Sequence, residues 1–497
     1  MKPARDTIWL IAALALGACA VGPDFHEPEA PTAGAYTATP LPAETAGGPG
    51  AVVQRFATGR DVPDQWWTLF RSDPLDRLVR HALAQSPTAA AAQAALAQAR
   101  ENVLAEVGAI SPHVDASVSA SRQRFSPTAI GQPNAPSTVF NLYNASVQVS
   151  YVFDVAGGRA REIEALRAQA DFQAFQTEAA YLALSGNIVT TAIREASLRA
   201  QLQATQDIAA AQQSVLGIIE QQFKLGGATR VDVLSQRTQL AQTRATLPAL
   251  EKELAQTRHL LAVLAGEFPA EADLPAFTLD TIKLPEELPV SVPSMLVRQR
   301  PDIRAAEALW HQASAGVGVA TANLYPRITL SASYGSQTNR TGELFDPSRG
   351  IWNVGASLLQ PLFHNGELSA RRRAALAAYD QAAAQYRDTV LRAFQNVADT
   401  LVALEADART LTAQSEAATL ARDTLDLTQK QYRLGGASYL ALLNADRQYQ
   451  QARIGMIQAQ AQRYADTAAL LQALGGGWWN RAAPIERASS PEGTTDR

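Results

Sequence analysis

The residues that most often carry catalysis or bind metals are sparse in this chain and do not cluster. Six of its 497 residues are histidines, and no two of them have the spacing of a metal-ligand pair on a helix or in a loop. They are His26, His81, His113, His259, His311 and His364. The stretch Gly316-Val317-Gly318 lacks the third glycine and the preceding strand of a nucleotide-binding loop, so we interpret it as a packing site. No zinc motif, phosphate loop or nucleophile triad is present, and the sequence therefore predicts no enzyme, no metal and no cofactor.

The one cysteine, Cys19, has a setting that suggests covalent modification. It follows a short basic segment and an apolar core over residues 8–16. Because that core is shorter than the roughly 20 residues that cross a bilayer, we interpret residues 1–18 as a cleaved signal peptide. The sequence Leu16-Gly17-Ala18-Cys19 resembles the lipobox of bacterial lipoproteins, which implies acylation of Cys19. A free cysteine at an ordinary cleavage site is the alternative.

Composition narrows the classes of partner and of fold. The chain has 43 basic and 47 acidic side chains and a net charge of −4, so no surface for nucleic acid is implied. A single cysteine excludes a disulfide framework. The many alanine and glutamine residues are typical of long helices that pack at close range.

Two similar hexapeptides mark a tandem repeat. Phe223-Lys224-Leu225-Gly226-Gly227-Ala228 returns 209 positions later as Tyr432-Arg433-Leu434-Gly435-Gly436-Ala437. A glycine pair supplies the backbone freedom of a tight reversal, and a basic residue before it suits a helix C-terminus. Each hexapeptide is therefore predicted to form the tip of a helical hairpin.

Both halves are predicted to contain a short helix, two strands, a very long helix, a tip and a shorter helix. The long helices run from about Gly157 to Lys224 and from Gly366 to Arg433, roughly 100 Å each at 1.5 Å per residue. The shorter helices are predicted over residues 87–110, 229–265, 301–324 and 438–474. Their summed lengths approach those of the long helices, so we expect them to stack end to end alongside as a coiled-coil rod.

Four segments with alternating apolar and polar residues predict strands that have one apolar face. They lie near residues 113–120, 139–151, 327–334 and 352–360, with loops over 122–137 and 337–350. A half-buried hairpin on a globular core is one interpretation, and outer-membrane β-structure is the other. No run of 18 apolar residues is present, and a barrel in lipid must close with about 8 strands or more, so several chains would have to share it. Both loops would then face outwards and the helices would project into the periplasm.

Six segments, in this order, resemble the TolC/OprM-type outer-membrane efflux lipoproteins of the NodT subgroup. They are Cys19-Ala20-Val21-Gly22-Pro23-Asp24-Phe25, Trp66-Trp67-Thr68-Leu69-Phe70, Arg300-Pro301-Asp302-Ile303-Arg304-Ala305-Ala306-Glu307, Tyr325-Pro326, Gln360-Pro361-Leu362-Phe363 and Tyr432-Arg433-Leu434-Gly435. The resemblance implies an α+β membrane protein that forms a homotrimer. Four transmembrane strands from each chain would form a 12-stranded barrel, and the helices would form a coiled-coil barrel. Ala20 after Cys19 favours lipid anchoring in the outer membrane of a Gram-negative bacterium.

The resemblance also implies a function and partners. The protein would be the passive exit duct of a tripartite efflux system, with a periplasmic adaptor and an inner-membrane RND-type transporter as partners and with outer-membrane lipid around it. A periplasmic adaptor lipoprotein is the alternative, but it would need lipoyl-like β-segments around a single hairpin. A soluble structural coiled coil is a third class, against which the strands and the lipobox argue.

In this family, acidic residues beyond the tips narrow the periplasmic end of the duct. We therefore expect a constriction of Leu440, Leu443 and Asn444, with Asp232 and Arg230 in the links that hold it closed. The family often has aspartate where this chain has Asn444, which weakens a cation-selective ring. Alternatively, Asp232 caps a helix and the leucines are seam residues.

The tips themselves are expected to dock the adaptor. The residues assigned to this role are Lys224, Leu225, Gly226, Gly227, Arg433, Leu434, Gly435 and Gly436. Ordinary turn chemistry is the alternative explanation for the glycines.

Domain boundaries follow from these patterns. After the signal peptide we expect a lipidated tether over residues 19–60, a first repeat over 61–266, a linker over 267–293 and a second repeat over 294–475. Residues 476–497 are predicted to form a disordered tail.

Overall fold

The computed structural model describes residues 20–481 except 41, 48–51, 127, 129, 130, 132, 133 and 135. The predicted signal peptide, Cys19 and residues 482–497 of the predicted tail lie outside the described residues.

Helices occur in two sets of matching order. The first set is α1 (Asp73–Gln85), α2 (Pro87–Ala109), α3 (Gly158–Lys224) and α4 (Arg230–Ala265). The second set is α5 (Pro293–Gln299), α6 (Pro301–Ala322), α7 (Glu367–Arg433) and α8 (Tyr439–Ala473). The two long helices, α3 and α7, have 67 residues each, as their uninterrupted helical patterns predict. Proline begins both α2 and α6, where a missing N–H costs no helical hydrogen bond. No helix in the described part of the chain has both the length and the apolar character that crossing a bilayer requires.

The strands form two sheets. They are β1 (Arg55–Thr58), β2 (His113–Phe125), β3 (Thr138–Phe153), β4 (Glu287–Val290), β5 (Arg327–Thr338) and β6 (Gly350–Leu359). Strands β1 and β4 pair in parallel, and the other four form an antiparallel sheet in the order β2-β3-β5-β6. Strand β2 continues to Phe125, beyond the predicted start of a loop at residue 122, because ladder pairing with β3 extends past the alternating apolar pattern.

In the register of the antiparallel sheet, apolar side chains lie on one face and polar side chains lie on the other. Val118 lies opposite Ala145, Val147 opposite Tyr334, and Tyr334 opposite Trp352. On the other face, Ser117 lies opposite Ser146, and Ser331 opposite both Ser150 and Gly355. Because side chains alternate along each strand, the four apolar sets share one face of the sheet. The structure thus confirms the predicted strands with an apolar and a polar face.

The chain divides into two compact units. Among the described residues, the first contains 20–28, Ala95–Gln173 and Ala305–Tyr386, and with them the four-stranded sheet. The second contains Glu29–Ala94, Ala174–Arg304 and 387–481, and with them both hexapeptides and the β1–β4 pair.

Within the second unit, the shorter helices of each repeat meet end to end. Gly266 ends α4 with a φ of 84°, and a Cβ added there would lie 2.9 Å from the carbonyl oxygen of Gln85, which precedes α2. In the second repeat, a Cβ added at Gly475 would lie 2.9 Å from the carbonyl oxygen of Gln299, which precedes α6. Glycine is required at both junctions, since a side chain would collide with the next helix start.

Part of the predicted N-terminal tether is packed rather than free. Arg463 of α8 is fully buried and donates hydrogen bonds to Thr45 Oγ1 at 3.0 Å, to the Val52 carbonyl at 2.7 Å and to Gln54 Oε1 at 3.2 Å. Gln54 in turn donates to the carbonyl of Pro285, before β4. The physical reason is the need of a buried guanidinium for acceptors, which this segment supplies.

The predicted tail also begins with packed residues. Trp478 donates its indole N–H to the Gln299 carbonyl at 2.6 Å, and Asn480 donates to the Val62 carbonyl at 2.8 Å. Arg481 pairs with Glu178 at 2.9 Å. Residues 476–481 are therefore ordered, in contrast to the prediction, because a polar tail can still place its aromatic and charged groups in a cleft.

A carboxyl pair near Arg463 makes folding stability depend on pH. Burial, and then the neighbouring Asp466 carboxyl, raise the pKa of Asp407 from 3.8 to about 7, while the charge of Arg463 acts to lower it. The folded state therefore holds this proton more tightly than the unfolded chain. The stability contributed by this group is fully present below pH 3.8 and is lost as the pH rises to about 7.

We expect Asp407→Asn to remove the loss of folding stability that accompanies rising pH. The variant should unfold at a higher temperature than the wild type at about pH 8, and this advantage should shrink towards about pH 5. Thermal unfolding in detergent across this range measures it, with Asp426→Asn, an exposed change on the same helix, as the control. An Asp407→Asn profile parallel to that of the wild type would contradict the assignment.

Candidate functional site

Both hexapeptides form the predicted turns with nearly the same geometry. Gly226 and Gly435 have φ values of 85° and 78°, in the left-handed region that favours glycine. The next amide in each turn reaches back along the helix, from Gly227 to the Gln222 carbonyl at 2.7 Å and from Gly436 to the Gln431 carbonyl at 2.8 Å. This six-residue hydrogen bond ends the helix and reverses the chain.

The apex of each turn presents an isolated leucine. Leu225 and Leu434 are each 87% exposed, and the basic residues before them, Lys224 and Arg433, are exposed as well. A Cβ added at Gly226 or Gly435 would meet no atom within 4 Å. The two apices therefore offer equivalent surfaces of one apolar and one basic side chain.

Asp232 caps the helix that follows the first tip. Its carboxylate accepts from the Thr229 amide at 2.8 Å, while the Asp232 amide donates to Thr229 Oγ1 at 3.2 Å. This reciprocal pair is a capping box and satisfies two amides at the start of α4. The neighbouring Arg230 is exposed. The structure thus places Asp232 in the helix cap that sequence reasoning kept as the alternative.

The three residues of the predicted constriction do not share one environment. Leu440 is 63% exposed and Asn444 is exposed one turn later, so these two share a face of α8. Leu443 is 7% exposed and packs in an apolar cluster of the two hairpins. The other buried members of that cluster are Ala209, Leu216, Ile219, Val233, Leu240 and Tyr439. Leu443 is therefore a seam residue, because it lies on the side of α8 that packs against this cluster, whereas Leu440 and Asn444 do not.

Polar contacts that sequence reasoning missed join the first hairpin to the second. Gln212 donates to Asp446 Oδ2 at 2.6 Å, and Arg447 donates to Gln239 Oε1 at 2.8 Å. Two tyrosines make similar contacts: Tyr439 donates to Gln236 Oε1 at 3.0 Å, and Tyr432 donates to Gln222 Oε1 at 2.9 Å. We call these four contacts the hairpin links. The available signal was the presence of polar residues, such as Gln212 and Arg447, inside otherwise apolar seams.

Burial shapes the charge state of the hairpin links. It raises the pKa of Asp446, although the Gln212 hydrogen bond and the charge of Arg447 act in the opposite direction. Burial also raises the pKa of Tyr439 to about 12, so its hydroxyl remains a donor at neutral pH. The links therefore consist of donors and acceptors that hold two hairpins together rather than of groups arranged to react. Among the described residues, no group of three or more histidine, cysteine or acidic side chains could hold a metal ion.

Comparison with known proteins gives consistent matches over both repeats. The family model described as outer membrane efflux protein matches residues 78–267 and 292–476. The pyoverdine export outer membrane protein OpmQ of Pseudomonas aeruginosa is 30% identical over 451 residues, which cover 90% of this chain and 94% of that protein. Outer membrane protein OprJ of the same species is 28% identical over 478 residues, covering 96% and 97% of the two chains.

Solved structures agree with these matches. The outer-membrane channel OprN superposes with a TM-score of 0.83 at 26% identity, covering 93% of this chain and all of that one. The open state of the MtrE outer membrane channel of Neisseria gonorrhoeae gives a TM-score of 0.80 at 25% identity, covering 94% and 100%.

Proposed function

The chain belongs to the outer membrane efflux protein family and is an efflux channel of the Gram-negative outer membrane, and we propose that it is the exit duct of a tripartite efflux system. The observation that carries this proposal is the match of the family model to each of the two repeats. A periplasmic adaptor is disfavoured, because a chain of that class would not match this family over both repeats.

We propose that three copies form the channel. Four strands from each chain would make a 12-stranded barrel, with the apolar face of the sheet towards lipid and the serine-rich face towards water. An open sheet in lipid leaves backbone groups unpaired along its edges, and closure by further copies removes those edges. The long helices would line the periplasmic part of the duct. Acylation of Cys19 would anchor the N-terminus in the same membrane.

The two hairpin tips are the proposed contact with a periplasmic adaptor. The adaptor would connect the duct to an inner-membrane transporter of the RND type, which supplies the energy. The support is repetition: an exposed leucine and an exposed basic residue occupy the same place in both glycine turns. Repetition in two hairpins and three copies would give six equivalent contacts. The channel would pass what the transporter delivers.

We now assign only Leu440 and Asn444 to the proposed constriction. Both are exposed on one face of α8. The hairpin links, rather than Asp232 and Arg230, are the contacts that would hold the tips together in a closed state. Opening would then require breaking neutral and charge-assisted hydrogen bonds, each worth about 0.5–3 kcal/mol.

Asn444→Asp should make the channel more selective for cations. The change adds one carboxylate per copy, hence three at one level of the duct, where a ring of like charge concentrates counter-ions. The ratio of cation to anion permeability should rise severalfold, measured from reversal potentials in planar bilayers under a salt gradient. Asp232→Ala serves as the control and should leave selectivity unchanged, since Asp232 is engaged in its helix cap. Unchanged selectivity of Asn444→Asp would remove Asn444 from the constriction.

The exit-duct proposal is tested by deletion and complementation in the native host. Loss of the gene should raise intracellular accumulation of compounds that the host exports, and the wild-type gene should reverse this. Purified protein in planar bilayers should give discrete conductance steps. Accumulation that is unaffected by deletion, in a host with no second gene of this family, would count against the proposal.

A further inference from the structure

The two repeats of one chain meet along a seam that a second copy can reproduce. Strand β3 of the first repeat pairs with β5 of the second, with Val147 opposite Tyr334. In the described part of the chain, the outer strands β2 and β6 each pair on one side only. Strand β2 is exposed along all 13 residues. Such long open edges call for a partner, most of all in lipid.

Equivalence between the repeats sets the register in which that partner would pair. His113 lies opposite Ser150 in the β2–β3 hairpin, and Arg327 lies opposite Leu359 in the β5–β6 hairpin. Pro112 and Pro326, which precede the first strands, are 214 residues apart, and Gly157 and Gly366, which follow the second strands, are 209 apart. Together these two offsets carry the first pairing onto the second. Applied to the pair Val147 and Tyr334, these offsets place Ala356 of β6 opposite residue 120 of β2.

We propose that β6 pairs antiparallel with β2 of a second copy, with Ala356 opposite Ala120, and that α7 packs on α2 of that copy. This inference rests on the proposed trimer and adds the register and the side chains of its interface. Alanine at both positions allows close approach on the apolar face, where Val118 and Leu358 would form the neighbouring pair.

Within one chain, the helical part of the seam joins α3 to α6. Glu164 Oε1 lies 2.9 Å from His311 Nε2. The side chain of Arg161 crosses Gly318, where an added Cβ would lie 2.7 Å from Arg161 Cγ. A large residue on α3 is therefore matched by the absence of a side chain on α6.

At the equivalent positions the sizes are reversed: α7 carries the small side chain and α2 carries the large one. The offset of 209 relates Arg161 of α3 to Ala370 of α7, and the offset of 214 relates Gly318 of α6 to Leu104 of α2. Leu104 is 61% exposed and would occupy the space above Ala370 of a second copy. The same exchange disfavours the wrong pairing of α3 with α2 of another copy, because Arg161 and Leu104 would compete for one space.

The same two offsets relate the charged positions of α3 and α6 to positions on α7 and α2. Glu164 of α3 is related to Arg373 of α7, and His311 of α6 to Ala97 of α2. Glu101 lies one turn from Ala97 on the same face of α2, and both Glu101 and Arg373 are exposed. An ion pair between Arg373 and Glu101 of two copies would therefore replace the contact between Glu164 and His311.

Cysteine cross-linking between two tagged copies tests the register. One copy carries Ala356→Cys and the other Ala120→Cys, and directly opposed residues of antiparallel strands lie about 4.5–5.5 Å apart at Cα, within the range of a disulfide. Mild oxidation in outer-membrane fractions should join the two tags. The matched control replaces Ala120→Cys by Ser119→Cys, which points to the other face and should not join them.

The outcomes distinguish a failure of the proposed register from a failure of the proposed trimer. Trimers without the Ala356–Ala120 cross-link, or with a stronger link to position 119, would overturn the register. Absence of trimers would overturn both the proposed assembly and this inference.

Charge reversal tests the helical part of the interface independently. R373E or E101R alone should lower the temperature at which trimers dissociate, and the double variant should restore most of the loss. Additive losses in the double variant would overturn the ion pair, since two unconnected sites add.

Discussion

Replacing Leu225 and Leu434 with aspartate should abolish efflux while leaving the amount of protein in the outer membrane unchanged. Both leucines are 87% exposed at the turns, so the chain's own stability should change by no more than about 0.5 kcal/mol. If they are the apolar centres of the adaptor contact, each substitution should cost about 2 kcal/mol or more, roughly 30-fold in affinity. Susceptibility of the native host to compounds that it exports measures the effect.

The matched control is Leu225→Met with Leu434→Met, which keeps an apolar side chain at each apex. This variant should support nearly normal efflux. Normal efflux by the aspartate variant would show that the adaptor binds elsewhere, for example along the sides of the hairpins. Loss in both variants would instead point to the turn conformation.

Arg463→Ala should be the most destabilising single change that we expect in the chain. The substitution removes the donor of three hydrogen bonds, to Thr45, Gln54 and the Val52 carbonyl, and Thr45 and Gln54 are buried. It also removes the cation beside Asp407. A buried polar group that loses its hydrogen-bond partner costs about 1–3 kcal/mol, and two of the three acceptors are buried. Thermal unfolding in detergent should show a correspondingly lower transition, and trypsin should newly cut after Arg55 as β1 and the segment before it are released.

Arg453→Ala is the matched control on the same helix. Arg453 forms an ion pair with Asp207 at 3.0 Å that is partly exposed, so its loss should cost about 1 kcal/mol or less. Equal effects of the two substitutions would mean that the buried guanidinium does not hold the N-terminal segment in place.

Local patterns allowed most of the fold to be predicted. The glycine turns, the two long helices and the four strands each depend on residues close in sequence. The bounds of the two long helices and of the four predicted shorter ones agree with the predictions to within about two residues, which is the usual spread of helix ends, whereas α5 was not predicted. The offsets of 209 and 214, read from the glycine pairs and prolines, together carry the register of the first strand hairpin onto that of the second.

Long-range contacts account for what was missed. The contact between Arg463 and Gln54 joins residues 409 positions apart, and nothing in either local sequence indicates it. Strands β1 and β4 have four residues each, too few for a periodicity to emerge. Leu440 and Leu443 both suit a helical seam in sequence, and only packing shows that one is exposed and the other buried. The hairpin links depend on which seams face each other, which is likewise a tertiary property.

The central claim is that this chain builds a trimeric channel in the outer membrane, and one measurement tests it most directly. Outer-membrane fractions are run on denaturing gels with and without heating, and the protein is detected by a C-terminal tag. Three copies closed through shared strands should migrate as a trimer without heating and as a monomer after heating. A protein found only as a monomer, or found outside the outer-membrane fraction, would contradict the claim.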